Sequence, residues 1–179
     1  MNLAVVELTT PFDEERVRAL RAGTKVALSG IVYGARDAAH IRMLAMLERG
    51  EPLPIPLEGN VIYYVGPAPA KEGHAIGPAG PTTSGRMDEM TVPLLARGLR
   101  ATIGKGYRSS AVREAMVQYG AVYFGAVGGA AALLARSIVA SRVIAFEDLG
   151  SEAVYALTFD RFPAFVVNDA HGGEAYVRA

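Results

Sequence analysis

Between residues 25 and 146, short runs rich in β-branched side chains alternate with helical stretches, and glycine or proline marks most of the changeovers. That alternation constrains the fold more than any other feature, because strands interleaved with helices of this length pack as a layered α/β domain. The runs 25–33, 61–65, 101–103, 121–124 and 142–146 read as strands. The stretches 12–22, 37–49, 87–98, 110–119 and 130–140 read as helices, with Thr10 near the cap of the first and Ser109 or Ser110 capping the fourth. Pro93 is expected to kink or break the third. After residue 146 the pattern turns to β structure, with strands at 154–159 and 164–167 joined by a turn at Asp160-Arg161-Phe162-Pro163. The expectation is an α/β fold with a mixed sheet, in one domain over 1–179. With 51% hydrophobic residues, the chain can bury a real core.

Charge and cysteine content narrow the function. Lys plus Arg and Asp plus Glu each number 18, so the formal net charge is zero. A nucleic-acid binder relying on broad positive charge is excluded, and any basic site must be local. The absence of cysteine rules out a disulfide, a thiol nucleophile or a thiolate-held metal or iron–sulfur cluster within these residues. Residues 1–10 lack a basic n-region and carry Glu7, unlike a secretory signal, so the expected location is the cytoplasm. The longest uncharged run, 120–135, is short for a membrane span, contains Gly128-Gly129 and is closed by Arg136. It reads as buried.

Residues 77–88, Gly-Pro-Ala-Gly-Pro-Thr-Thr-Ser-Gly-Arg-Met-Asp, are the hardest to explain by folding alone. Two Gly-Pro pairs hold the backbone out of helix and strand, and Thr82, Thr83 and Ser84 then lead into a helix start. Free N–H groups there, with the Arg86 guanidinium, suit a carboxylate or phosphate. The competing reading is a capped helix after a rigid loop, with Arg86 solvated. Arg36 and Lys105 stand in equivalent turns directly after expected strands. In open α/β sheets such turns gather outside the carboxyl ends of the strands, so Arg36, Arg86 and Lys105 can converge on one small dicarboxylate. Thr82, four residues before Arg86, can share its face.

Weaker signals fall away. Five residues separate Gly98 from Gly104, and Gly106 stands where a P-loop needs Ser or Thr. Gly104-x-Gly106 lacks the third glycine of a dinucleotide fingerprint. His40, His74 and His171 have no metal-ligand spacing, so no metal site is expected in this chain.

Taken with Arg36-Asp-Ala-Ala-His40, Gly66-Pro-Ala-Pro69, Lys105-Gly-Tyr-Arg-Ser109, Gly128-Gly129 and Asp160-Arg-Phe-Pro-Ala-Phe165, the stretch 79–88 resembles the β subunit, or C-terminal domain, of class I fumarases and tartrate dehydratases. The resemblance runs nearly end to end. It implies a swivelling β/β/α domain, a [4Fe–4S] cluster held by a cysteine-bearing α subunit in a heterodimer or heterotetramer, and reversible hydration of fumarate to malate. It implies carboxylate contacts from Arg36, Thr82, Arg86 and Lys105, with Thr82 as the proton-abstracting base. An ordinary hydroxyl is a poor base, so Thr82 needs a supporting partner, for which Asp37 and His40 are the candidates in this chain. Gly85 matches the fumarase form of the motif better than the tartrate dehydratase form. Tartrate or mesaconate-type hydratases, or a non-catalytic dicarboxylate-binding module, are the alternatives.

Overall fold

The computed structural model describes residues 4–126 and 130–176. Its strands are β1 (Val6–Thr9), β2 (Lys25–Gly34), β3 (Val61–Tyr63), β4 (Ala101–Gly104), β5 (Val122–Gly125), β6 (Ile138–Ala145) and β7 (Val154–Asn168). The helices are α1 (Glu14–Ala19), α2 (Asp37–Glu48), α3 (Asp88–Leu95), α4 (Ser110–Tyr119) and α5 (Ala131–Ala135), with 3-10 segments at Ser84–Met87 and Glu147–Glu152. Strands β2, β3, β4 and β5 lie side by side and parallel. β7 runs antiparallel to both β5 and β2, so these five strands close into a barrel. β1 flanks β2 in parallel, and β6 flanks β7 antiparallel. The expected α/β layout with a mixed sheet is therefore what the chain adopts.

Alternate residues of the central strands serve two cores, as the two-residue repeat of a strand requires. Val61, Tyr63 and Val65 join Ile103, Phe124 and Phe159 in one cluster, while Ile62 and Tyr64 join Met43, Leu94 and Met116 from the helices in the other. Both faces of β3, β4 and β5 are buried, which is why these strands are apolar apart from Thr102.

Several boundaries differ from the expected ones, each for a physical reason. The stretch 130–140 is helical only over Ala131–Ala135, and the chain is extended from Ile138. There a full antiparallel ladder on β7 outweighs a weak local helix preference. The two strands expected after 154 are one continuous strand. The expected turn is a local twist, with Arg161 at φ 51°. Pro163 is tolerated because it falls between the β6 ladder, which ends at Phe159, and the β5 ladder, which begins at Phe165. Pro93 lies inside α3, and that helix is preceded by the 3-10 turn carrying Arg86. β1 is a strand that no local pattern announced. Asp13, rather than Thr10, caps α1 by accepting the Arg16 N–H at 2.7 Å. Ser109 caps α4, as expected. The uncharged run 120–135 divides into β5 and α5, and among the described residues no helix is long and apolar enough to cross a membrane. Gly128-Gly129 lies outside the described residues.

Candidate active site

Four parallel strands end at one rim of the barrel, at Gly34, Tyr63, Gly104 and Gly125. The segment 77–88 lies across that rim. Thr82 donates its N–H to the Tyr64 carbonyl at 2.7 Å and accepts from the Lys105 N–H at 3.3 Å. The Ser84 N–H returns to the Lys105 carbonyl at 2.9 Å, and Thr83 bridges to Lys105 in parallel. Thr82 and Lys105 are thus laced together through backbone just beyond β3 and β4. The close approach requires Gly104, where any Cβ would overlap the Ser84 hydroxyl. That hydroxyl, fully buried, donates to Tyr123 Oη at 2.9 Å, and Tyr123 in turn donates to the Gly106 carbonyl. Thr82 is only 9% exposed, and its hydroxyl makes no hydrogen bond to any described residue.

The charged half of the rim is organised by an acid. Asp37, first residue of α2, takes the side of Arg86 in a fork, Nε to Oδ1 at 3.0 Å and Nη2 to Oδ2 at 2.9 Å. The same Oδ2 lies 3.4 Å from Arg36 Nε, and Glu152 Oε1 approaches that Nε at 3.2 Å. Burial works to raise the Asp37 carboxyl, but the Arg86 hydrogen bonds, its own backbone N–H and the charges of Arg86 and Arg36 hold it below its ordinary value. Both arginines are gripped through Nε. Arg86 Nη1 and both Nη groups of Arg36 make no hydrogen bond to a described residue. Such ends are free to grip carboxylates.

Beneath the rim, two buried groups hold the parts in register. His40 Nδ1 lies 2.8 Å from the Arg36 carbonyl, and since a carbonyl only accepts, Nδ1 carries the proton. Burial pushes the imidazole down to about 4, with the Arg36 carbonyl opposing, so it is neutral at pH 7. Its Nε2 is buried without a partner among the described residues, and the ring packs edge-on to Tyr64. Arg108 is 1% exposed and ties four segments together. Its Nε donates to Asp88 Oδ1 at 2.7 Å, Nη1 to Tyr64 Oη and Thr102 Oγ1, and Nη2 to Thr91 Oγ1. The second Asp88 oxygen accepts the Ser109 N–H at 2.7 Å. Burial opposes the guanidinium charge, but Tyr64, Asp88 and Tyr123 outweigh it and raise its pKa.

The rim therefore brings Arg36 and Arg86 onto one carboxylate and Thr82 onto Lys105, with only the 3-10 turn between the two pairs. Among the described residues, no hydrogen bond links Asp37 or His40 to Thr82. Asp37 is committed to the arginines, and the His40 N–H to the Arg36 carbonyl. Glu152 and Arg108 escaped sequence reasoning. Nothing local distinguishes Glu152 from any surface acid, whereas Arg108 stands inside the Lys105-Gly-Tyr-Arg-Ser109 motif and only its burial was hidden. No three His, Asp or Glu side chains among the described residues stand together as a metal site, and the chain has no cysteine. Its residues do not fit an iron–sulfur cluster.

The family model described as "Fumarase C-terminus" matches residues 2–179. Fumarate hydratase 2 of Leishmania major is 42% identical over 175 residues, covering 96% of this chain and 31% of that protein. The aerobic class I fumarate hydratase of Escherichia coli K12 is 36% identical, covering 96% of this chain and 32% of that protein. The chain thus spans about a third of the length of these relatives. A protein of Methanocaldococcus jannaschii named putative L(+)-tartrate dehydratase subunit beta is 37% identical over 166 residues, 89% of this chain and 85% of that protein.

Proposed function

Because this chain belongs to the Fumarase C-terminus family, we propose that it is the β subunit of a two-subunit hydro-lyase that hydrates fumarate reversibly to (S)-malate. The observation that carries this reading is the pair of arginines held side by side on Asp37 with their Nη ends open, one of them in the 3-10 turn that follows the Thr82–Lys105 backbone pair. In this reading Arg36 and Arg86 take the substrate carboxylates by their forks and Lys105 adds a point charge. When a proton leaves carbon, negative charge builds on the adjacent carboxylate. Cations already fixed around it stabilise that state more than the ground state. Thr82, with its hydroxyl unclaimed, is assigned the proton transfer. Because Asp37 and the His40 N–H are engaged elsewhere, the group that supports a Thr82 alkoxide is assigned to the rest of the enzyme.

The chain has no ligand set for a [4Fe–4S] cluster, so in this proposal the cluster belongs to a cysteine-bearing α subunit. The chemistry assigned to this chain is substrate binding and proton handling, in the cytoplasm. The test is to purify the chain alone and with a co-encoded cysteine-bearing subunit, and to follow the ultraviolet absorbance of fumarate. Only the mixture should consume fumarate. Hydration by the chain alone, or an inert mixture in which the chain still binds dicarboxylates, would overturn the assignment in favour of a different enzyme or a binding module. A second reading, tartrate dehydration, is favoured by the near-full coverage of the Methanocaldococcus β subunit. Turnover of L(+)-tartrate in place of fumarate would select it.

A further inference from the structure

Arg36 is held more closely than a surface arginine needs to be. Its side chain crosses Gly66, where an added Cβ would lie 2.8 Å from Nη1 and 3.0 Å from Cδ, and 3.4 Å from the Ser151 carbonyl oxygen. On its Nε side stands Glu152, whose Oε1 lies 3.2 Å from that nitrogen and 3.5 Å from the Ala38 N–H in the first turn of α2. Glu152 ends the segment Glu147–Glu152, two 3-10 turns that meet at a kink at Gly150 (φ 59°), and the first of them is anchored further along the same helix. There Arg42 forks onto Asp148 with both bonds at 2.8 Å and lies 4.9 Å from the centre of the Phe146 ring. Past the kink, Glu152 is held by its own contacts to Arg36 and the Ala38 N–H.

We infer that Glu152 is a positioning residue for Arg36: together with the bare backbone at Gly66 it turns the Nε edge inward and leaves only the Nη end to meet a substrate carboxylate. The inference rests on the dicarboxylate reading of the site. Charge sharpens it. Arg36, Arg86 and Lys105 bring three positive charges and Asp37 and Glu152 two negative ones, so the rim is only weakly positive and relies on aim more than on net charge. Neutralising Glu152 should then attract dianions more strongly while loosening the aim.

The experiment compares Glu152→Gln, Glu152→Asp and Arg36→Ala in the assembled enzyme, with the Arg36 Nε–H followed by nitrogen-15 NMR in the full chain. Glu152→Gln is expected to lower kcat about tenfold and to lower KM as well; loss of folded protein lowers apparent kcat alone and leaves KM where it was. Glu152→Asp, which keeps the charge but falls a methylene short, is expected to lower kcat and raise KM. In the wild type the Arg36 Nε–H should be protected from exchange, and in Glu152→Gln that protection should fall. Wild-type kinetics and protection in Glu152→Gln, beside a strongly impaired Arg36→Ala, overturn the role of Glu152 alone. An Arg36→Ala variant with full activity overturns the dicarboxylate reading itself. If Glu152→Gln does not fold, Gly66→Ala serves instead, and an unchanged Arg36 signal with unchanged kcat overturns the inference.

Discussion

Arg86 grips Asp37 through its side, Nε and Nη2 each bonded to a separate carboxylate oxygen at 3.0 and 2.9 Å. Two parallel bonds set the plane of the guanidinium and turn its remaining end away from Asp37. Lysine keeps the charge but has neither the second bond nor the fixed plane. Arg86→Lys is therefore expected to cost about 1–3 kcal/mol in transition-state binding, read as a drop in kcat/KM of the assembled enzyme. Wild-type kcat/KM in that variant would show that charge alone suffices.

Thr82 offers a clean separation of chemistry from folding. Its backbone is held by Tyr64 and Lys105, while its hydroxyl bonds to no described residue. Thr82→Val keeps the shape and removes only that hydroxyl. Turnover should fall by at least about a hundredfold, the usual contribution of a positioned acid or base. The unfolding free energy in urea should stay within about 0.5 kcal/mol of wild type, and Thr82→Ser should retain much of the activity. Full turnover in the valine variant would remove Thr82 from the proton transfer.

The Arg108–Asp88 pair is the stability counterpart. Removing the acid takes away the carboxylate that this guanidinium meets at 2.7 Å in a site that is 1% exposed. Asp88→Asn is expected to destabilise the fold by about 3–5 kcal/mol, measured by urea unfolding. Activity should fall too, because Arg108 and Asp88 join the start of α3 to the loop carrying Lys105. A change below about 0.5 kcal/mol would show that the neutral amide satisfies the guanidinium.

His40 sets a pH dependence whose sign follows from its depressed pKa. The unfolded chain protonates this imidazole near ~6.5, whereas the folded chain resists until about 4. Between those values the unfolded state binds the extra proton, so stability is fully present above the window and declines as pH falls through it. The loss approaches a limit on the order of 3 kcal/mol. Urea titrations of wild type and His40→Gln across this range should differ in slope, with the variant flatter. Parallel curves would mean that another group carries the titration.

Much of the site was legible because its cations obey local rules. Arg36 and Lys105 follow strand ends, and Arg86 follows a Gly-Pro stretch that can neither extend nor coil, so turn chemistry alone put all three in turns that lead into helices. What stayed hidden was each partner supplied from far along the chain. Glu152 reaches Arg36 from beyond β6. Arg108 looked like an ordinary loop cation until Tyr64, Thr91 and Thr102 closed around it. The fold divides in the same way. The parallel strands and their helices announce themselves by residue type, as does the second half of β6, but the first half of β6 and the unbroken course of β7 exist because of ladders to other strands.

By itself, then, the chain's order of residues determined the alternating elements, the rigid approach to Thr82 and the three positive side chains at the strand ends, since propensity and turn geometry act between near neighbours. Tertiary structure alone decided that β7 would close the barrel, that one carboxylate, Asp37, would take both Arg36 and Arg86, and that Arg108 would be buried. Those outcomes depend on burial and on pairing between distant segments, which have no energy until the chain has folded around them.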